Sequence, residues 1–215
     1  MTKIEGRPYD DMLIDKGFRG FPSLAFMDVE GNVLAQPSGR SVEAFESTLG
    51  DLTAWMELKK RAASGDAEKG LKYKLFMTEW NLGMLTWDDV QKKAANLGDL
   101  NDKQKAMVAA IKMDAEILEL AKGMNTREGR DEAVRKAGGR FHEMMKNGHQ
   151  PGERAQSAFW NGLMSFAELE QDADLYAKCV AHFKEMYKDE PRAARYLENL
   201  QKKLDEMRAG AGTTP

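Results

Sequence analysis

A chain of 215 residues, 42% hydrophobic and 31% charged, carries enough apolar material for one or two cored domains, which excludes a chain disordered as a whole. Its 32 basic and 35 acidic residues nearly cancel, leaving −3, and the two signs are interspersed, so no nucleic-acid or anionic-membrane partner is expected. No apolar run approaches the ~20 residues of a membrane span, so no membrane insertion is expected. The opening residues Met1-Thr2-Lys3-Ile4-Glu5-Gly6-Arg7 also lack the apolar core of a signal peptide, which implies a cytoplasmic chain if Met1 is the true start.

The hydrophobic pattern changes near residue 40, from short β-like runs to helical period. Residues 2–5 read as a short strand. Pro8 opens a helix over 9–16 that ends at Gly17. Gly20-Phe21-Pro22 is a turn signal, and 23–27 is an apolar stretch of strand length. Asp28-Val29-Glu30-Gly31-Asn32 reads as a hairpin connection in which Gly31 supplies the awkward backbone angle, and Val33-Leu34-Ala35 is the returning strand. Ser41 is placed as the N-cap of a long helix, with Glu43 and Glu46 at its positive end. Val42, Phe45, Leu49, Leu52 and Met56 are expected to form its buried stripe. The break comes at Ser64-Gly65-Asp66.

Helix then follows helix. Leu71, Leu75 and Trp80 are core candidates in one that closes at Gly83. Thr86 caps the next, with Asp89 three residues on in the position of a partial capping box. Asn101 caps a long helix carrying Val108, Ile111, Ala115 and Leu118, which ends near Gly123 and Asn125. A second block starts near Arg130 with Val134, Phe141 and Met145. Beyond the loop 147–152, one helix carries Phe159, Leu163, Phe166 and Leu169, and another Leu175, Val180, Phe183 and Met186. Pro191 opens the last, with Tyr196, Leu200 and Leu204. The small polar segment 209–215 reads as a disordered tail.

Chemistry-bearing residues are sparse. Cys179 is the only cysteine, so no disulfide can form within the chain, and its apolar neighbours read as a buried helix position rather than a reactive thiol. His142, His149 and His182 lack a second ligand at metal spacing, so no metal site and no cofactor is expected. The 14 methionines recur at helical spacing and read as core filling. Carboxylate pairs such as Asp88-Asp89 read as helix N-terminal residues, and Lys59-Lys60-Arg61 as a solvated helix end. Trp80 and Trp160 are read as core, while Trp87, just past a cap, is the better candidate for a partner contact.

The order of a strand and helix leading to Gly20-Phe21-Pro22, then strand, Asp28–Gly31–Asn32 turn, strand and helix, resembles the C-terminal half of a thioredoxin-like domain. That resemblance implies a partial βαββα unit over 1–63. It makes Phe21–Pro22 the cis peptide beside the family's redox site, and Gly20, Phe21 and Pro22 a surface that docks an extended peptide by strand-like hydrogen bonds. The family's Cys-x-x-Cys belongs to a preceding half that this sequence does not contain, and one cysteine cannot run a dithiol relay. The chain is therefore expected to be a fragment of a longer protein. The alternative is a complete but decayed domain whose open strand edge is covered by helices or by a second copy, as a homodimer.

Segments 66–125 and 129–208 are similar to tetratricopeptide-type helical repeats, most closely over 167–197, where Ala173 and Ala177 are the small helix-packing positions. No clean 34-residue period is found. The resemblance implies stacked helical hairpins that bind protein or extended peptide. The combined reading is an α+β unit followed by a mostly α-helical, repeat-like region, acting as a non-catalytic protein-binding module. The alternatives are a truncated thiol-disulfide oxidoreductase and a purely structural helical scaffold.

Overall fold

The computed structural model describes residues 16, 18, 23–37, 39–65, 70–125 and 128–211. The expected strand at 2–5, most of the helix over 9–16, and the loop Gly20, Phe21 and Pro22 lie outside the described residues. The chain divides into two compact units, Met1–Asn101 and Asp102–Pro215.

In the first unit, β1 (Phe26–Met27) and β2 (Val33–Ala35) pair antiparallel, Phe26 opposite Ala35 and Met27 opposite Val33, with an irregularity between the two. The strand expected over 23–27 pairs only at its last two residues, which face the three residues of β2 across that irregularity. Asp28 closes the turn. Its carboxylate accepts from the Asn32 backbone N–H at 2.7 Å and from the Asn32 side-chain amide at 2.9 Å, and these bonds hold its pKa below the ordinary value. Gly31 has φ +80°, a conformation that a side chain would strain.

Helix α1 (Val42–Ala63) follows, with the Ser41 hydroxyl accepting from the Ala44 N–H at 3.3 Å. Its buried face is not the expected stripe. Thr48 and Leu52 are buried and Phe45 and Trp55 half-buried, while Val42, Leu49 and Met56 are 68%, 54% and 59% exposed. The apolar residues of α1 cover a wider arc than its neighbours reach. The hairpin meets the helix through Phe26, whose ring centroid lies 5.9 Å from that of Phe45. The small core gathers Ala35, Leu52 and Leu82, with Phe26, Leu34, Trp55 and Met84 around them. Helix α2 (Leu71–Asn81) packs on α1 and buries Leu71, Phe76 and Trp80. Helix α3 (Trp87–Ala94) begins with a complete capping box. The Asp89 N–H donates to the Thr86 hydroxyl at 3.2 Å, and the Thr86 N–H donates back to the Asp89 carboxylate at 3.1 Å.

The second unit is helical throughout its described residues: α4 (Asp102–Gly123), α5 (Arg130–Lys146), α6 (Glu153–Leu169), α7 (Ala173–Met186), a 3₁₀ turn (Pro191–Ala193) and α8 (Ala194–Ala211). Each helix packs on the next, and α4 also packs on α6. One continuous core runs through them, from Ile117 through Phe141, Phe159, Leu163, Tyr176 and Phe183 to Leu200 and Met207. Helices α5 and α6 interlock through two reciprocal glycine–phenylalanine seats. A Cβ on Gly138 would collide with the Phe166 side chain, and one on Gly162 would lie 2.5 Å from the Phe141 ring. Bare backbone at both positions lets the rings close the interface.

The division at Asn101 falls inside the 66–125 segment that the sequence pattern assigned to a single run of hairpins. Helices α2 and α3 belong with the first unit, whereas Ile117 of α4 sits in the core it shares with α5 to α8. Helix α8 continues to Ala211 and so takes in the start of the expected tail, while 212–215 lie outside the described residues. No helix among the described residues is long and apolar enough to cross a membrane.

Candidate functional site

In the first unit, α2 and the end of α3 enclose a cup of about 290 Å³. Lys72, Leu75, Phe76 and Glu79 follow helical i, i+3, i+4, i+7 spacing and so share the face of α2 that lines it. Lys92 and Lys93 from the last turn of α3, with Asn96 and Leu97 just beyond, line the opposite wall. The walls include Phe76 and Leu97, both buried, and Leu75, half-buried. Glu79 is buried and accepts from the Lys93 ammonium at 2.5 Å. A carboxylate in that position needs a cation, because an unpaired buried charge is strongly destabilising. The Asn96 amide donates to the Lys92 carbonyl at 2.8 Å and holds the end of α3 in place. With Glu79 neutralised by Lys93, Lys72 and Lys92 leave the rim net positive. The lining offers no thiol, hydroxyl or imidazole. Such a cup suits capture of one apolar group carried by something acidic.

A second concave region, of about 400 Å³, lies in the helical unit between the end of α4, the start of α5 and α6. Arg130, Arg154, Asn125, Ser157, Asn161 and Ser165 make it polar. The Asn161 amide is already committed to the Ser157 carbonyl at 2.8 Å and the Ser157 hydroxyl at 3.2 Å.

Near it, Asp114 of α4 forms a buried node with the α5–α6 loop. The Gly152 N–H donates to both carboxylate oxygens, at 3.1 and 3.0 Å, and His149 Nε2 lies 3.3 Å from one of them. Each of the two side chains is only 7% exposed. Burial pushes the Asp114 carboxyl above the ordinary carboxylate value, while the Gly152 N–H, His149 and Arg154 pull it back. An aspartate–imidazole pair is a familiar acid–base unit, but neither residue lines the groove. Here the aspartate caps α6 from a neighbouring helix, as its bond to the first free N–H of that helix requires.

The residues singled out by sequence fall in different places. Gly20, Phe21 and Pro22 lie outside the described residues. Trp87 is the first residue of α3, half-buried, and does not line the cup. Trp80 is buried, whereas Trp160 is half-buried and stacks on His182 with ring centroids 4.0 Å apart. The ammonium of Lys59 sits 4.6 Å from the Trp55 ring centroid. Cys179 is fully buried in the α7 core, and desolvation pushes its thiol up to about 12, so it stays protonated at neutral pH. Among the described residues no group of three His, Cys, Asp or Glu could hold a metal. Sequence reading missed Lys72, Lys92 and Lys93. Local pattern carried no sufficient signal: Lys72 shares a face with Leu75 and Phe76, but the opposite wall comes from a second helix.

The chain matches no protein-family model, no curated protein and no solved structure. Its functional reading therefore rests on this geometry.

Proposed function

We propose that the chain is a non-catalytic protein-binding module whose α2–α3 cup takes one apolar side chain from an extended, acidic partner segment. The observation that carries this reading is the combination of an apolar lining with a rim of Lys72 and Lys92, the one carboxylate in the cup being already paired to Lys93. The order of hairpin and closing helix after Gly20-Phe21-Pro22 supports treating the first unit as a thioredoxin-like relative without the redox dithiol. The buried, protonated state of Cys179 favours a non-redox role. Successive packed helices in the second unit favour a tetratricopeptide-like stack, for which protein binding is the usual use.

The test uses fluorescently labelled peptides with a central Leu or Phe flanked by glutamates, and matched peptides flanked by lysines. Polarisation should report binding of the acidic set alone, weakening as salt rises. Lys72→Glu combined with Lys92→Glu, both at exposed positions, should abolish it without altering the circular dichroism spectrum. Equal binding of both peptide sets, or none of either, would reject the reading.

A further inference from the structure

The exposed apolar residues of α1 form a pattern that the cup does not use. Val42, Leu49 and Met56 recur every seven residues, so they fall on one stripe along the helix. Glu46 and Thr53 stand between them and Lys60 follows Met56, giving the alternating four–three spacing of a helix-pairing seam. The stripe lies beside the buried face marked by Thr48 and Leu52 and is left uncovered by it.

We infer that this stripe is a self-association surface, on which α1 packs antiparallel against α1 of a second copy of the chain. The charge pattern chooses both the occupant and the direction. Glu43, Glu46 and Asp51 lie in the first half of α1, and Lys59, Lys60 and Arg61 close it, with Glu57 the only acid among the later residues. Parallel pairing would set like charges side by side. In the antiparallel register centred on the seam, position 42 stands opposite 60, 46 opposite 56 and 49 opposite 53. Lys60 of the second copy then falls within about one helical turn of Glu43 and Glu46. The surface meets itself through a two-fold axis, so every favourable pair occurs twice. Leu49 and Thr53 pack at the centre, and Val42 and Met56 lie over the aliphatic stems of Lys60 and Glu46. A single helix pair is at the small end of specific interfaces, so the dimer dissociates on dilution. The inference is independent of the peptide-binding reading, because it uses none of the residues that line the cup.

Sedimentation velocity on the full chain over a range of concentrations tests it. The sedimenting mass should rise from 24.1 kDa toward twice that value. Leu49→Glu should keep the protein monomeric throughout with an unchanged thermal melt, since that side chain is more than half exposed. Glu46→Lys alone and Lys60→Glu alone should each weaken the dimer several-fold, and the two together should restore it. A chain that stays monomeric at the highest concentration, whether its own first residues or another protein covers the stripe, would overturn the inference. A dimer indifferent to Leu49→Glu, or single swaps not rescued by the double, would overturn it as well.

Discussion

The two units of this chain solve the problem of burial differently. In Asp102–Pro215, side chains from α4 to α8 interleave into one core, and the large apolar residues left exposed, Met107, Met186 and Tyr196, are scattered. In Met1–Asn101, Ala35, Leu52, Leu71, Phe76, Trp80, Leu82, Val90 and Leu97 are buried, yet Leu24, Met27, Val29, Val42, Leu49 and Met56 are exposed. Isolated exposed apolar side chains are ordinary, but Val42, Leu49 and Met56 fall on one stripe of α1 and so form a patch. On the readings proposed above, it is the first unit that meets other molecules.

The sharpest way to break that contrast is to cut into each core. Phe159 is fully buried between Phe141 at 5.5 Å and Trp160 at 5.7 Å, ring centroid to centroid. Phe159→Ala should remove about 3–5 kcal/mol from the unfolding free energy of the helical unit, measured by urea denaturation. Leu49→Ala, on the outward stripe of α1, should stay within about 0.5 kcal/mol in dilute solution. Comparable losses from the two would mean that the α1 stripe is core after all.

A finer comparison lies within one helix. Gly138 and Gly139 are neighbours in α5, and helix propensity alone favours alanine at both by roughly 0.5–1 kcal/mol. A Cβ at Gly139 meets nothing within 4 Å, so Gly139→Ala should raise the melting temperature. A Cβ at Gly138 runs into Phe166, so Gly138→Ala should lower stability by about 1–3 kcal/mol despite the better propensity. Differential scanning calorimetry of the pair decides it, and equal shifts of the same sign would remove the interlock from the account of how α5 and α6 pack.

That pair also shows where sequence reading stops. Helices were legible because local rules set them. Thr86 and Asp89 announce a capping box, Ser41 announces a cap, and Phe159, Leu163 and Phe183 keep helical period, and each plays that part in the structure. Nothing local distinguishes Gly138 from Gly139, because the difference is a ring supplied from α6. The α1 stripe misled for the same reason. Its apolar residues announce a helix face, but which part of a wide arc is covered depends on the few residues of hairpin and α2 that reach it. The cup was equally invisible, since its lysines come from two helices and gain meaning only when Lys93 is spent on Glu79. The loop Gly20-Phe21-Pro22, on which the thioredoxin-like resemblance turns, lies outside the described residues, so its role stays with the proposal.

The smallest expected effect concerns the Asp114 node, and its sign is diagnostic. Burial raises the folded-state carboxyl above its ordinary value of 3.8, against the opposing pull of the Gly152 N–H, His149 and Arg154. A raised folded-state pKa means that the folded unit binds this proton more tightly than the unfolded chain does. The associated stability is fully present below the unfolded value and is lost as pH rises through the folded one. Asp114→Asn keeps an oxygen for the Gly152 N–H but cannot ionise. Urea-unfolding free energies measured from below pH 3.8 up to neutral pH should therefore show wild type losing stability relative to Asp114→Asn as pH rises. A parallel series in the His149→Gln background isolates the part owed to the imidazole. If wild type instead gained on the variant toward neutral pH, the bonds from Gly152 and His149 would outweigh desolvation. The node would then be a stabilising charged clamp between α4 and α6, and not a buried group held at some cost.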